Sequence, residues 1–376
     1  MKDYIGRQQL GTIFGDGVVS NRRPDISIQF QYGISPADAV ITNSGTGTAT
    51  TSLAVANIQS GASIGSSRVQ SLNSLRYQPG FDGIINFTAA FSAGDTGSYQ
   101  RIGLFDDNNG MWVGRVDGVF SIGIRYNGSD TLLSGLSLPN NFNPEAINIY
   151  RMSYGWLGVA PIMVEVYVGD LGWWKIIDHT VANKGLAVSI VQPVQPITAE
   201  AGRTSGTGTV SVHTASWCAA RLQTGDSSLP SDRHGSFEKR LTGVGATLTN
   251  VITLYNKSTF QGFTNRVKIH LDYLSASIDG TKAGSVHIVK NGTIGGVPAP
   301  VDYNTATSVV QADTAGTTVT GGEQELVLTM AKLDSTRAFI RDLEINALPG
   351  EHITIATETV SGTTDAYHSV RWHEEF

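Results

Sequence analysis

Along residues 101–128, RIGLFDDNNGMWVGRVDGVFSIGIRYNG, short apolar runs alternate with Asn-Gly and Asp-Gly pairs. Hairpin turns of types I′ and II′ match the right-handed twist of strands but put central residues at positive φ, so Asn109-Gly110, Asp117-Gly118 and Asn127-Gly128 predict three tight turns. Residues 101–105, 111–116 and 119–125 then read as the strands of a meander. In the last of them Phe120, Ile122 and Ile124 alternate with Val119, Ser121, Gly123 and Arg125. That period of two sends one face to a core and the other to water.

The same punctuation runs through the flanking chain. Residues 75–91 predict two strands around Pro79-Gly80, with Ile85, Phe87 and Ala89 on one face. Residues 147–168, 173–178 and 208–219 extend the series to about ten strands without a helical period, the mark of an antiparallel sandwich. Residues 191–197, VQPVQPI, carry two prolines that cannot donate to a central ladder and so read as an edge or crossover. The Gly/Ser/Thr-rich stretches 42–51 and 60–67 read as polar loops. A polar segment with Gly, Pro and Asp predicts a linker over 223–240. Beyond it, strands near 246–255, 265–277, 285–290, 319–330, 337–345, 353–360 and 368–373 suit a second, smaller sandwich, and residues 326–333 have the composition for a helical turn or two. Residues 1–35 sustain no period and read as an extended arm, although 26–34, ISIQFQYGI, alternates well enough to add a strand to its own sheet or a partner's. The expected fold is all-β: an N-terminal arm, an antiparallel β-sandwich of jelly-roll or lectin-like form over 36–222, and another over 241–376.

Composition agrees and narrows the function. The 43 glycines, with abundant Ser, Thr, Asn and Val, oppose a helical protein. A net charge of -6 argues against nucleic-acid binding, which needs clustered Lys and Arg; Arg22-Arg23 and Lys239-Arg240 are too small. No apolar run approaches the roughly 20 residues that span a bilayer, and MKDYIGRQQL lacks the apolar core of a signal peptide. The single cysteine, Cys218, excludes an intramolecular disulfide framework and, beside Trp217, is expected to be a small buried hydrophobe.

Reactive constellations are sparse. Asp106-Asp107-Asn108-Asn109-Gly110 offers acidic oxygens, but without the Asp-x-Asp-x-Asp-Gly spacing of a calcium loop a hairpin turn explains it better. Eight histidines stand apart in the sequence with no His-x-x-x-His pair, so no metal site and no cofactor is expected. There is no Gly-x-Ser-x-Gly elbow, P-loop or dinucleotide fingerprint. Asp106, Glu145, Glu165 and Asp178 could supply the facing carboxylates of a glycosidase only by chance. A non-enzymatic protein is expected. Among binding residues, Trp173 and Trp174, with Asp106, Asp107 and Asn108, are the candidates for glycan contact, since indole rings stack on sugar faces; core packing is the competing role for the rings.

The order of these motifs also carries a resemblance. Residues 101–128, then Tyr154-Gly155-Trp156-Leu157-Gly158-Val159, then Phe260-Gln261-Gly262-Phe263-Thr264-Asn265-Arg266-Val267, and a closing Trp372-His373-Glu374, resemble virion structural proteins of tailed phages and large DNA viruses. The likeness runs from about Leu75 to the end. It implies lectin-like sandwiches displayed on a particle as head decoration, spike, fibre or tail attachment, with capsid or tail proteins as partners, a homo-oligomer with trimer favoured, and an arm that anchors on the shell. It implies no catalytic residue.

Overall fold

The computed structural model describes residues 24–79, 82–222 and 232–376. The chain divides into two compact units, Met1–Gly225 and Asp226–Phe376. Each consists of antiparallel strands; among the described residues the only helices are short 3-10 turns, and no helix is long and apolar enough to cross a membrane. The all-β, antiparallel expectation holds.

In the first unit a seven-stranded sheet runs, in spatial order, Ser129–Leu132, Val119–Tyr126, Gly110–Val116, Ser98–Phe105, Gln195–Arg203, Gly65–Leu75, Ala39–Gly45. Two of its three expected two-residue turns form, with Asp117, Gly118, Asn127 and Gly128 all at positive φ; at the third, Gly110 already pairs with Phe105, so residues 106–109 make a four-residue loop and Asn109-Gly110 is not its central pair. A nine-stranded sheet is built around Asp82–Phe91. One edge of that strand pairs with Asn148–Tyr154, followed by Ile162–Val168 and Gly172–His179; its other edge pairs with both Ser211–Thr214 and Ser216–Leu222. The core joins Ile102, Leu104, Val113 and Ile122 of the first sheet to Ile85, Phe87, Tyr150, Val164 and Trp217 of the second. The second unit repeats the plan with a five-stranded sheet led by Arg233–Val244, Thr364–Glu374 and Ile269–Asp279, and a six-stranded sheet centred on Thr249–Asn256 and His352–Thr359. Leu271, Val370 and Trp372 share its core with Ile252, Leu254, Ile288 and Ile355.

Several boundaries differ from expectation, each for a physical reason. Residues 24–35 are part of the first unit, not an arm: Pro24–Gln29 pairs with Ser216–Leu222, Phe30 meets Trp217 edge-on at 5.1 Å, and Asp25 binds Arg221 at 3.1 Å. The ISIQ alternation was therefore a strand docked in cis; residues 1–23 of the expected arm lie outside the described residues. The linker expected over 223–240 is overrun by the strand Arg233–Val244, whose inward face up to Leu241 offers only Phe237 and Leu241 beside Gly235 and Lys239 and so hid its period; residues 223–231 are likewise outside the description. The supposed Gly/Thr loop over 42–51 lies largely in strands Ala39–Gly45 and Thr48–Ser52, where β-branched Thr suits the pleat, whereas the Ser/Gly stretch 60–67 is loop through residue 64 and enters the strand Gly65–Leu75 only at its end. Residues 323–330 are strand, not helix, and Leu333 turns the chain at φ 53.

The most consequential miss is Gln195–Arg203, which is a central strand and not an edge. Its register slips between Pro196 and Thr198, and the Ile197 N–H leaves the ladder to donate to Ser71 Oγ at 2.9 Å. A bulge is where proline is tolerated inside a sheet. Cys218 also departs from expectation: its neighbour Trp217 fills the core, while the thiol is on the alternate face and is only half-buried.

Candidate functional site

The face of the seven-stranded sheet that turns away from the core is not the wet surface its alternation suggested. Small and large residues interlock there. Gly123 faces Trp112 on the next strand, and a Cβ on Gly123 would come within 2.3 Å of the indole, so the glycine lets that ring lie flat. Gly235 and Trp372 in the second unit form the same cross-strand pair, at 2.2 Å.

On this floor sits an ion-pair network with Glu200 at its centre. Arg68 Nη2 donates to Glu200 Oε2 at 2.6 Å, Arg101 Nη1 to Oε1 at 2.9 Å, and Arg125 Nη2 to Oε1 at 3.4 Å. Asp130 takes Arg125 Nε and Trp112 Nε1, each at 2.9 Å, and pairs with Arg101 at 3.0 Å. Arg68 also pairs with Asp107. Arg101 further stacks over Trp112 and Tyr99, 5.0 and 4.7 Å from the ring centres. The Glu200 side chain is only 5% exposed. Burial opposes its charged form, but the fields of Arg68, Arg101 and Arg125 outweigh that and hold its carboxyl below the usual range. Three guanidinium groups balance the carboxylates of Glu200, Asp130 and Asp107, so the network is neutral, with the buried Arg101 Nε its one donor lacking a hydrogen bond among the described residues. Its output is rigidity.

That rigidity reaches two loops at one end of the sheet. Asp106 Oδ1 accepts from the N–H groups of Asn108 and Asn109, both at 2.8 Å, closing the hairpin as an Asx turn. Arg125 Nη1 donates to Asp106 O at 2.9 Å, and Gly128 N–H donates to Asn108 O at 3.0 Å. The 106–110 loop and the 126–129 turn are thus stapled side by side. Asp107, with a side chain 79% exposed, Asn108, Asn127 and the ring of Tyr126, 59% exposed, stand on their surface.

The five sequence-picked residues therefore separate. Asp107 and Asn108 belong to this surface, and Asp106 is consumed in building it. Trp173 and Trp174 are elsewhere, on Gly172–His179 at the edge of the nine-stranded sheet. Trp174 packs on the core with Nε1 donating to Ser137 O at 2.9 Å, and Trp173 lies under the Arg151 guanidinium at 3.8 Å beside Tyr167. The other singled-out carboxylates are held by bases: Glu145 by Arg115 at 3.1 Å, Glu165 by Arg151 at 3.4 Å and Asp178 by Lys175 at 2.9 Å. Sequence reading missed Glu200, Arg68 and Arg101, and with them the exposed Tyr126. The available signal was charge at alternate positions of apolar strands: Arg101 and Arg125 share a parity with Gly103 and Gly123.

The histidines also correct a reading. Single in sequence, His234, His373 and His270 are cross-strand neighbours on three adjacent strands of the second unit.

The first unit is an antiparallel two-sheet module carrying a stapled loop surface at one end of its seven-stranded sheet. No protein-family model matches the chain, and no curated protein sequence matches it. Solved structures of similar shape include lectin I-B4 from Griffonia simplicifolia in its metal-free form, with 12% identity, 52% of this chain and 99% of that one covered, and a TM-score of 0.34. They also include the exoplasmic/lumenal domain of VIP36 in a Ca2+/Man3GlcNAc-bound form, at 13% identity, 55% and 92% coverage and a TM-score of 0.37. A structure described under O-glycanases of the human gut microbiota that initiate mucin breakdown has 11% identity, 54% and 100% coverage and a TM-score of 0.39. Likeness of this degree carries over no residue of a binding site.

Proposed function

We propose that this chain is a non-enzymatic structural component of a phage-type virion, displayed on the particle, and that its first unit contacts host-surface carbohydrate through the stapled loops. The single observation behind the contact is the rigid pairing of residues 106–110 with 126–129, held by Arg125 and by the Gly128 N–H. Sugars are read by a few fixed carboxylate and amide groups, with an aromatic ring against their C–H face. Asp107, Asn108, Asn127 and Tyr126 supply that set on backbone already ordered, so little entropy is lost on binding. The particle itself rests on the motif order over residues 75–376, and assembly as a trimer on the same analogy.

The test uses particles carrying wild-type chain or the triple variant Asp107→Ala/Asn108→Ala/Tyr126→Ala, applied to a glycan array. Both chains are expected in purified particles, with glycan retention reduced at least tenfold in the variant. Equal retention would remove the loop surface, and absence of the wild-type chain from purified particles would remove the virion role.

A further inference from the structure

The second unit gathers a different kind of chemistry at its C-terminal strand. His373 is paired in register with His270 on one side and His234 on the other, and the His270 and His373 rings are nearly parallel with centres 5.0 Å apart. The chain then passes Glu375 back across the sheet, its N–H donating to Lys268 O at 3.0 Å. This brings Glu375 Oε2 within 3.5 Å of His270 Nε2. One donor atom each from His270, His373 and Glu375 lies within 4.8 Å of the others. His270 Nε2 is buried and makes no hydrogen bond. Asp272 Oδ1 meets His373 Nδ1 at 2.7 Å, which leaves Nε2 as the nitrogen free to ligate.

From this geometry we propose a zinc-binding site made by His270, His373 and Glu375, with Asp272 orienting His373. Two imidazoles and a carboxylate form a recognised donor set for this ion. Tetrahedral zinc with bonds of about 2.0–2.2 Å holds its donors about 3.4 Å apart, which the His270–Glu375 pair already approaches. The Asp272–His373 bond is the outer-shell contact that fixes tautomer and ring direction in such sites. Oxygen-seeking calcium and magnesium do not suit two imidazoles. Three protein donors leave one tetrahedral position for water or an incoming ligand. Asp272 and His234 also line a 440 Å³ cleft with Tyr273, Phe339, Arg341 and Arg371, so the site borders an open surface. In the loaded protein the ion would tie the C-terminal tail to the strand Ile269–Asp279.

The experiment uses tag-free full-length chain, stripped with chelator and titrated with zinc against a chromophoric competitor, with cobalt as a spectroscopic substitute. One equivalent of zinc and an intense tetrahedral cobalt spectrum are expected for the wild type. His270→Ala and Glu375→Ala should each weaken zinc by at least tenfold. Asp272→Asn should weaken it about 10–100-fold while keeping the stoichiometry and spectral form. His352→Ala, outside the cluster, should bind as wild type, and circular dichroism confirms that each variant is folded. Failure of the folded wild type to take up one zinc, or unchanged affinity in folded His270→Ala, would overturn the site. Neither result bears on glycan retention by the first unit.

Discussion

Glu200→Ala is expected to destabilise the first unit by about 3–5 kcal/mol, because removing one member of a buried ion-pair network leaves its partners charged and uncompensated. Arg68, Arg101 and Arg125 all converge on this carboxylate, and none can shed its proton. Glu200→Gln keeps the shape but not the charge, and should fall between alanine and wild type. The pH dependence has a definite sign. Since the folded carboxyl titrates below its unfolded value, its contribution is complete above about pH 4.5 and disappears as pH falls through the lower folded value. Urea unfolding at pH 7 gives the mutational cost. Peptide-resolved hydrogen exchange over residues 195–203 gives the acid profile, which should flatten in the glutamine variant. A cost below about 1 kcal/mol, the range of surface pairs, would mean that Glu200 is solvated and not the hub of this face.

His368 should make the second unit lose stability at a milder acidity. It is fully buried, with Nε2 against Thr357 Oγ1, and burial pulls its pKa down to about 4 despite an opposing hydrogen bond at the Tyr367 backbone. The unfolded chain therefore takes up this proton first. Stability is constant above about pH 6.5 and falls by about 3 kcal/mol on the way to pH 4. His368→Gln, whose amide nitrogen can stand in for Nε2, should remove most of that slope. On acidification the second unit would then lose the His368 contribution between about pH 6.5 and 4, and the first unit the Glu200 contribution below about pH 4.5. Exchange protection over residues 364–374 that stays constant between pH 7 and 4.5 would contradict the assignment to His368.

The sheets were legible in the sequence where one face of a strand is apolar and the turns are Asn-Gly or Asp-Gly; residues 101–128 fold much as their pattern implies. Strands with few apolar residues on either face were not legible. Arg233–Val244 looked like linker because its inward face up to Leu241 has only Phe237 and Leu241 as apolar side chains, and residues 42–45 looked like loop because that edge strand is exposed on both faces. Gln195–Arg203 was hidden by Pro193, which precedes the strand, and by Pro196, whose incompatibility with a central ladder is relieved by a bulge that only the neighbouring Ser71 makes evident.

Of the candidate binding residues, Asp107 and Asn108 were chosen through turn chemistry, which places them on the exposed 106–110 loop. Trp173 and Trp174 were chosen for ring type, which does not reveal that Arg151 and the core already occupy them. Glu200 and the His270–His373–Glu375 cluster depend on register between strands roughly 100 residues apart, and sequence spacing holds no trace of such register.

The most direct measurement of the carbohydrate reading is amide chemical-shift mapping of the first unit's resonances in the full-length chain, during titration with an oligosaccharide selected on the array. Saturable shifts confined to residues 106–110 and 126–129, with Arg68 and Arg125 side chains responding, are the predicted result. Shifts centred on Trp173, or none at saturating sugar, would contradict it.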